Sequence, residues 1–478
     1  MNNKFKNIVI GSGAGGSVAA LELATKGENV ALIEEGKEFD INFFQNKTIA
    51  ERTQSLWRNN GITPFLGKPP IAYVEGVALG GTTVSNGGVL ERPNENLLDS
   101  FFTKYNISGY RPEDLNVIFE KIEKKLFSNQ IVHNNNNLDG EILIKNLDKN
   151  KISYKKTFLA HKNCKNFNEC ISGCPAGAKM TNLALTYIPE AIKKGLNLLT
   201  ESKVVKVFKE GNNIGIKIKK NSNLTSLYCE KLYISAGAIQ SPFIILKNGL
   251  NNKAGKKISF HLNYKIGAFF DEKINAEKGT IHTINIDHYK NDGFSLVPAN
   301  FKKPYFFSSF PNFNNNKINS LEKDIDKCAL YTTEIHIKGK AKILSGLTST
   351  PIVKYQLEDS DLIKVKKSLK IFCEILLEAG AKEIFLAYNK KPIIKNSNDI
   401  KNLLDEFDTK EMSYVCAHTM SSCNMSNNSD GIVDENGYLK NHQNIVVADN
   451  SILPESIGDS PQLTTMAFVH KIMEKQLK

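Results

Sequence analysis

One stretch near the start of the chain constrains its fold more than any other. Residues 6 to 36 combine an apolar run, a glycine-rich turn, an Ala/Leu-rich segment and a second apolar run. This order predicts a strand, a turn, a helix and a second strand, the βαβ unit that opens a parallel sheet. The glycines stand at Gly11, Gly13 and Gly16. At this spacing the first allows a tight turn, the second lets the backbone approach a pyrophosphate, and the third lets helix and strand pack closely.

An acidic residue follows at the distance that dinucleotide binding requires. Glu34 ends the second predicted strand, 23 positions after Gly11, close to the roughly 20 positions at which a carboxylate meets the ribose hydroxyls. We therefore predict that Gly11, Gly13, Gly16 and Glu34 bind the ADP half of a dinucleotide. Spacing alone does not separate FAD from NAD.

Further motifs resemble those of the glucose-methanol-choline (GMC) oxidoreductases, a family that includes bacterial FAD glucose dehydrogenases and long-chain alcohol oxidases. They are the glycine-rich loop 76–88, the strand and turn 232–242, and the closing segments 417–425, 444–454 and 460–464. The motifs span almost the whole chain in the family's order. The resemblance implies tightly bound FAD and an α/β fold, α+β overall, in which a Rossmann-like FAD-binding domain carries an antiparallel-sheet substrate domain.

The resemblance also implies a set of flavin-contacting residues. Gly80, Gly81 and Asn86 would lie along the flavin, and Val205 near the adenine. Asp449 would anchor the middle of the cofactor. Gln462 would lie beside the flavin ring at a helix N-terminus, whose partial positive charge favours a reduced, anionic flavin. From the residues alone, Asp449 could instead be a turn carboxylate that caps neighbouring amides.

The resemblance places the reacting centre at His418. Oxidation of an alcohol by hydride transfer to flavin N5 needs a base for the hydroxyl proton, and His418 occupies the position of the family's proton-accepting histidine. The family's usual partner is an Asn or His directly before a proline, and here that residue is Ser460. A hydroxyl can donate to or accept from a substrate oxygen but cannot act as a base.

Alternatively, Ser460 is the N-cap of a helix predicted from Pro461 to Glu474. A nucleophilic pair of Cys416 and His418 is disfavoured because no third orienting residue is evident.

Three cysteines form the least ordinary local motif. Cys164, Cys170 and Cys174 lie within eleven residues, and Cys174 precedes a proline, as in iron–sulfur ligand loops. The spacing resembles that of bacterial FAD glucose dehydrogenase subunits, which hold a [3Fe–4S] cluster there; the loop also resembles that of long-chain alcohol oxidases, which need no cluster. A zinc site would want a fourth ligand, for which His161 is a candidate. With a cluster, electrons would pass to a cytochrome or quinone; without one, oxygen or another acceptor would reoxidise the flavin.

The motif order divides the chain into interleaved domains. We predict a discontinuous FAD-binding domain at 1–110, 160–255 and 410–478, a substrate-binding sheet domain at 256–409, and a connecting or lid segment at 111–159. In the substrate domain, alternating residues predict antiparallel strands at 279–287 and 331–338, and the apolar spacing of 361–378 predicts a helix.

Composition excludes several classes of function. No apolar run approaches the ~18 residues of a membrane-spanning helix. The formal charge is +12, but only four of the 62 basic residues are Arg, and they form no dense basic block, so we predict no nucleic-acid partner. The N-terminus shows no secretory signal, which predicts a cytoplasmic, reducing location; peripheral membrane association or export with a partner is also compatible.

The expected function is FAD-dependent oxidation of a sugar-like or aliphatic alcohol. The alternative is a flavin-fold lyase or a redox-silent FAD-binding protein, because a fold does not fix a reaction.

Overall fold

The fold is that of a computed structural model, which describes residues 3–130, 138–299, 301–344, 348–390 and 392–478. The strands are β1 Lys4–Ile10, β2 Val30–Ile33, β3 Thr63–Leu66, β4 Ile71–Tyr73, β5 Ser128–Gln130, β6 Lys155–Lys156, β7 Phe158–Ala160, β8 Asn197–Leu199, β9 Lys203–Glu210, β10 Asn213–Lys220, β11 Asn223–Ile234, β12 Ser259–Leu262, β13 Lys265–Phe269, β14 Ile284–Asn285, β15 Phe294–Pro298, β16 Cys328–His336, β17 Lys340–Leu344, β18 Ile352–Gln356, β19 Glu383–Leu386, β20 Ile393–Ile394, β21 Tyr414–Cys416, β22 Thr419–Met420 and β23 Ile445–Val447.

The α-helices are α1 Ala14–Thr25, α2 Ile41–Asn46, α3 Ile49–Leu56, α4 Glu95–Lys104, α5 Pro112–Lys125, α6 Glu141–Lys149, α7 Tyr187–Lys193, α8 Gly237–Lys247, α9 Lys303–Ser308, α10 Asn315–Lys323, α11 Asp359–Glu378, α12 Ser397–Asp405 and α13 Gln462–Gln476. None of the helices in the described ranges combines the length and the apolar character that crossing a bilayer requires.

The first sheet brings four strand ends to one edge. Its order is β8, β2, β1, β11, β10, β9, and β23 also pairs with β11. The strands β2, β1 and β23 run parallel to the carboxyl half of β11. Ligands bind at the carboxyl ends of such strands. The residues that follow these ends are Gly11, Glu34, Ser235 and Ala448, so the predicted nucleotide-binding residues meet at this edge.

Helices α1, α5, α7 and α13 cover the first sheet and close its core. Helix α1 is almost entirely buried, from Gly15 to Ala24, as its composition of small and aliphatic residues allows. It packs against α13 and α7. A helix that is apolar on all faces is usually buried on all sides. The start of α1 accordingly lies inside the molecule and not at its surface.

A second core lies between two further sheets and helix α11. One sheet has the order β20, β19, β13, β16, β12, β22, with β15 paired to β16; the other has the order β17, β18, β3, β4, β21. Helix α11 packs against β19, β15 and β16. It covers the predicted helix 361–378, and β16 covers most of the predicted strand 331–338.

Three sequence predictions need correction. Residues 63–73, assigned to the FAD-binding part, form β3 and β4 and contribute Phe65, Ile71 and Tyr73 to the second core. The segment 111–159 is more than a connection, because α5 packs into the first core and α6 into the second. The segment 279–287 is a strand only at Ile284–Asn285, because positive φ angles at Gly279 and His282 interrupt the extended backbone.

Candidate active site

The glycine-rich turn has the geometry that each of its glycines requires. Gly11 has a φ of +92°, and a Cβ there would lie 2.4 Å from the carbonyl oxygen of Ser235. A Cβ on Gly16 would lie 1.9 Å from the carbonyl oxygen of Gly11. A Cβ on Gly13 would meet nothing within 4 Å. Gly13 therefore faces open space, whereas Gly11 and Gly16, the motif glycines before and after it, pack against backbone atoms.

Glu34 is fixed by the same turn. One carboxylate oxygen accepts hydrogen bonds from the Ser12 backbone nitrogen at 3.0 Å and from its hydroxyl at 2.6 Å, and the other accepts from the Gly36 nitrogen at 2.8 Å. Burial raises the pKa of Glu34, against the effect of these hydrogen bonds. The Ser12 hydroxyl also accepts from the Gly80 nitrogen at 2.8 Å. Ser12, which the motif leaves unspecified, thus joins Glu34 to the second glycine loop.

The second glycine loop and the start of α13 are joined by side-chain amides. Asn86 donates to the side-chain oxygen of Gln462, and its own oxygen accepts from the Thr181 hydroxyl at 3.1 Å. Gln462 in turn donates to the Thr181 carbonyl at 3.3 Å. Gln462 is the first residue of α13, so the backbone donors of that helix terminus lie at the same place.

Asp449 caps neighbouring amides, as the sequence alone allowed, and it also links two elements beside the cavity. Its carboxylate accepts from the backbone nitrogen of Ser451 at 2.8 Å, which is local capping. It also accepts from the Ser241 hydroxyl at 2.5 Å and from the Gly237 nitrogen, the first of α8, at 2.8 Å. Burial raises the pKa of this carboxyl. Asp449 thereby fixes the end of β23 against the start of α8.

A cavity of about 1140 Å³ runs along these residues. Of the residues predicted from the sequence, it is lined by Gly11, Gly13, Glu34, Gly81, Asn86, Val205, His418, Asp449, Ser460 and Gln462. Gly16 and Gly80 lie behind its wall, and so do the three cysteines. The open space at Gly13, together with the uncapped N-terminus of α1, fits the pyrophosphate of a dinucleotide.

His418 lies on the cavity wall within a hydrogen-bonded cluster. Its Nδ1 is 3.1 Å from Oε1 of Glu334 and 3.1 Å from Nδ1 of His261. Nδ1 of His261 is 2.5 Å from the same oxygen of Glu334, and its Nε2 is 2.8 Å from the Ser456 hydroxyl. His261, Glu334 and His418 therefore form a compact cluster. Within the described part of the chain, it is the group of His, Cys, Asp or Glu side chains found with at least three potential ligand atoms within 4.8 Å of one another.

Burial and charge act in opposite directions on the pKa values of Glu334 and His261 in this cluster. Burial alone would raise the pKa of Glu334, but attraction to His261 and His418 and hydrogen bonds from both outweigh burial and hold that pKa well below its usual range. Burial lowers the pKa of His261 although Glu334 opposes this. The Nδ1 atoms of both imidazoles thus lie within hydrogen-bond distance of the same Glu334 oxygen.

Sequence reasoning missed Glu334 and His261. They lie on β16 and β12, and β12 contacts His418 only through the fold: the His261 nitrogen donates to the His418 carbonyl at 3.1 Å. The sequence offered one indication of Glu334, because it is a carboxylate in the predicted alternating strand 331–338. Thr332, two positions earlier, is expected on the same face of that strand.

Ser460 does not cap a helix, which corrects the N-cap alternative. Helix α13 begins at Gln462, its N-cap is Pro461, and no side chain caps it. The Ser460 side chain lines the cavity instead.

The cysteine loop lies beside the second glycine loop and is bonded to it through one lysine. The buried ammonium group of Lys179 donates to the carbonyls of Val84, Asn86 and Cys170 at 2.7, 2.8 and 2.8 Å. Burial lowers the pKa of Lys179 to about 8. Sγ of Cys170 lies 4.0 Å from Nε2 of His161.

Family models decide what kind of protein has this site. Two models described as GMC oxidoreductase match residues 5–263 and 344–468. The chain belongs to the GMC oxidoreductase family. It is accordingly an FAD-dependent oxidoreductase that acts on CH–OH donors, and the resemblance found in the sequence is confirmed.

Individual relatives match over nearly the whole chain. An uncharacterized GMC-type oxidoreductase of Sinorhizobium fredii is 26% identical over 98% of this chain and 94% of its own length. The long-chain-alcohol oxidase FAO3 of Arabidopsis thaliana is 24% identical over 98% of this chain and 67% of its own. Among solved structures, pyridoxine 4-oxidase from Mesorbium loti has a TM-score of 0.74 at 14% identity, covering 98% of this chain and 99% of its own. The formate oxidase of Aspergillus oryzae has a TM-score of 0.73 at 12% identity, covering 99% and 98%. These structures share the fold, which confirms the predicted fold class.

Proposed function

We propose that this GMC oxidoreductase oxidises an aliphatic alcohol, with His418 as the base that accepts the hydroxyl proton. The single observation that supports this is the cluster on the cavity wall, in which Nδ1 of His418 lies 3.1 Å from the Glu334 carboxylate; a hydrogen bond there would orient the ring and leave Nε2 as the proton acceptor. FAD, when bound, supplies the hydride acceptor. The long-chain-alcohol oxidases among the relatives, and apolar wall residues such as Val297 and Val415, favour an aliphatic over a sugar-like substrate.

Each side chain has a defined part in this proposal. Gly13 and the start of α1 would hold the pyrophosphate, Glu34 the ribose, and Asp449 with the start of α8 the middle of the cofactor. Asn86 and Gln462 would lie along the ring. Ser460 would donate its hydroxyl hydrogen to the substrate oxygen, which orients the carbinol carbon without competing for the proton.

The proposal is tested by anaerobic reduction of the flavin. Purified protein is mixed without oxygen with primary alcohols of increasing chain length, and the flavin absorbance is followed. Bleaching that depends on the alcohol supports the proposal. An unchanged flavin spectrum with all alcohols, or conversion of a compound without net flavin reduction, favours the redox-silent or lyase alternative.

The cysteine loop favours a second candidate for the oxidative half of the reaction. Cys164, Cys170 and Cys174 lie on a loop that Lys179 bonds directly to the carbonyls of Val84 and Asn86. A cluster held by the three thiolates would therefore lie near the flavin and could pass single electrons to a cytochrome or quinone. Iron and acid-labile sulfide per flavin in anaerobically purified protein decide this. About three irons per flavin indicate the relay, and flavin alone indicates oxygen or a small-molecule acceptor.

A further inference from the structure

One cationic side chain in the cavity has no part in the mechanism above. Lys265 is the first residue of β13 and lines the cavity. Among the residues that the structure describes, neither an ion pair nor a hydrogen bond to its ammonium group is found, and burial is the only influence that shifts its pKa. Lys179, a fully buried lysine of this region, has three carbonyl partners. Lys265 is half-buried and lacks the partners that normally accompany a charge withdrawn from water.

The sheet register places Lys265 on the same face as the catalytic cluster. Lys265 lies directly opposite Thr332 of β16, and Val297 of β15 lies opposite Thr332 on the other side. Glu334 is two residues beyond Thr332 on β16. Side chains two apart along a strand point to the same face of a sheet, and all four residues line the cavity. The ammonium group and the cluster that contains His418 therefore face the same space.

Neighbouring groups do not neutralise this lysine. The Glu334 carboxylate is engaged by His261 and His418. The other titratable group nearby is His282, whose pKa is lowered to about 4, first by burial and then by the charge of Lys265. His282 is thus neutral at pH 7. Burial lowers the pKa of Lys265 itself to about 8, so its ammonium group carries its proton at pH 7, and no ion pair to it is found among the residues that the structure describes.

We propose that Lys265 binds a carboxylate of the substrate, so that this enzyme acts on alcohols that carry a carboxylate away from the reacting carbon. The inference rests on the proposed function and specifies its substrate class. A carboxylate matches one ammonium group in charge, whereas a phosphate with its three acceptor oxygens commonly requires several donors or an Arg fork. The apolar residues of the same face, such as Val297, would contact the chain between the two polar ends.

The first test compares acids with their uncharged counterparts. Anaerobic flavin reduction is measured with ω-hydroxycarboxylates of increasing length and with their methyl esters. We expect kcat/KM to be about 10- to 100-fold higher for the best acid than for its ester, the effect of one hydrogen bond to a charged group. Lys265→Met should remove the preference and leave the ester rate within a few-fold. Lys265→Arg should retain part of it.

A matched control removes a positive charge from the same cavity. Lys247 lines the cavity near its mouth and is exposed, so Lys247→Met should keep the preference for the acid. Flavin content and melting temperature of each variant show that it is folded. Equal kcat/KM for acid and ester in the wild type would overturn the inference while leaving alcohol oxidation intact.

The second test measures binding without turnover. Saturated carboxylates and their primary amides are titrated against the oxidised protein, and the flavin absorbance is followed. We expect carboxylates to bind at least 10-fold more tightly than amides in the wild type and equally in Lys265→Met. If no alcohol reduces the flavin but this binding difference is present, the proposed oxidation fails and the anion site stands. If Lys265→Met instead loses FAD or shifts the flavin potential, the lysine acts on the cofactor and the inference is overturned.

Discussion

Glu334 accepts hydrogen bonds from two imidazoles within the cavity wall, and this has a measurable consequence for stability. The carboxylate pKa lies well below its usual range in the folded chain. A carboxyl group with a depressed folded pKa stabilises the fold above its unfolded pKa of about 4.3, and that contribution is lost as the pH falls through the folded value.

We therefore expect Glu334→Gln to lower the free energy of unfolding by about 1–3 kcal/mol at pH 7, and by progressively less below pH ~4.3. Urea titrations of the wild type and the variant across this range measure the difference. The exposed Glu322, which pairs with Lys303 at 3.6 Å, gives the matched control Glu322→Gln, for which little change is expected. A difference between wild type and Glu334→Gln that is constant down to acidic pH would show that the carboxylate is not ionised in the fold.

Ser460 occupies the position at which the family usually has Asn or His, and it lines the cavity. We predict that Ser460→Ala lowers kcat/KM for alcohols by up to about 10-fold, the value of one neutral hydrogen bond, with flavin content unchanged. Ser460→Asn should restore activity to at least the wild-type level, since an amide reaches further and both donates and accepts. Steady-state kinetics of the two variants test this. A loss of folding stability in Ser460→Ala without a kinetic effect would indicate a structural serine.

At the residue scale, sequence alone could identify residues that line the cavity but not those that contact His418 from other strands. Gly11, Gly13 and Glu34 are close in sequence, so their spacing carries the information. Glu334 and His261 contact His418 from strands far away in the chain, and no local pattern encodes that pairing.

At the scale of single elements, the first turn of α1 approaches the backbone at the end of β23 closely on one side and borders the cavity on the other. A Cβ on Gly15 would lie 2.0 Å from the carbonyl oxygen of Ala448, the residue after β23. A Cβ on Gly13, two residues earlier, would meet only the cavity. Gly15 thus serves packing, and Gly13 leaves the space that the proposed cofactor site requires.

This difference predicts opposite outcomes for two similar substitutions. Gly15→Ala should destabilise the fold by about 1–3 kcal/mol or more through overpacking against the backbone, which thermal denaturation measures. Gly13→Ala should fold with near-normal stability but retain much less FAD, because the new methyl group occupies space at the pyrophosphate. The ratio of flavin to protein absorbance measures this loss. Equal flavin content in wild type and Gly13→Ala would place the pyrophosphate elsewhere.

The same scale shows why some elements were predictable and others were not. The helix α11 has a regular apolar period, and β16 alternates cleanly, so both follow from sequence. The strand predicted at 279–287 alternates equally well, but the left-handed backbone of Gly279 and His282 breaks it. A positive φ at a histidine leaves no mark in a hydrophobic pattern.

At the scale of the whole molecule, two hydrophobic cores meet along one cavity. Gly13 and Asp449 approach it from the first core, and Lys265 and Thr332 from the second sheet system. The motif order predicted interleaved domains, and the first core does contain residues from both ends of the chain, such as Ile8 and Phe468. The contribution of β3 and β4 to the second core was not, because their partners β18 and β21 lie far away in sequence.

A ligand that bridges the two cores should stabilise both together. We expect protein stripped of FAD to gain about 2.7 kcal/mol in free energy of unfolding when FAD is restored at 100 times its Kd. Denaturant titrations with and without FAD measure this gain, and Gly13→Ala should gain much less at the same FAD concentration. A gain confined to one of two separate unfolding transitions would show that the cofactor contacts a single core.

The central claim, that His418 accepts the proton in an FAD-dependent alcohol oxidation, is tested most directly by the rate of anaerobic flavin reduction in His418→Asn. The account predicts a rate about 10² to 10⁴ times lower than in the wild type, with FAD still bound, and an unchanged rate in His288→Asn, whose ring lies on the surface against Ser153. A His418→Asn variant that reduces its flavin at the wild-type rate would contradict the account.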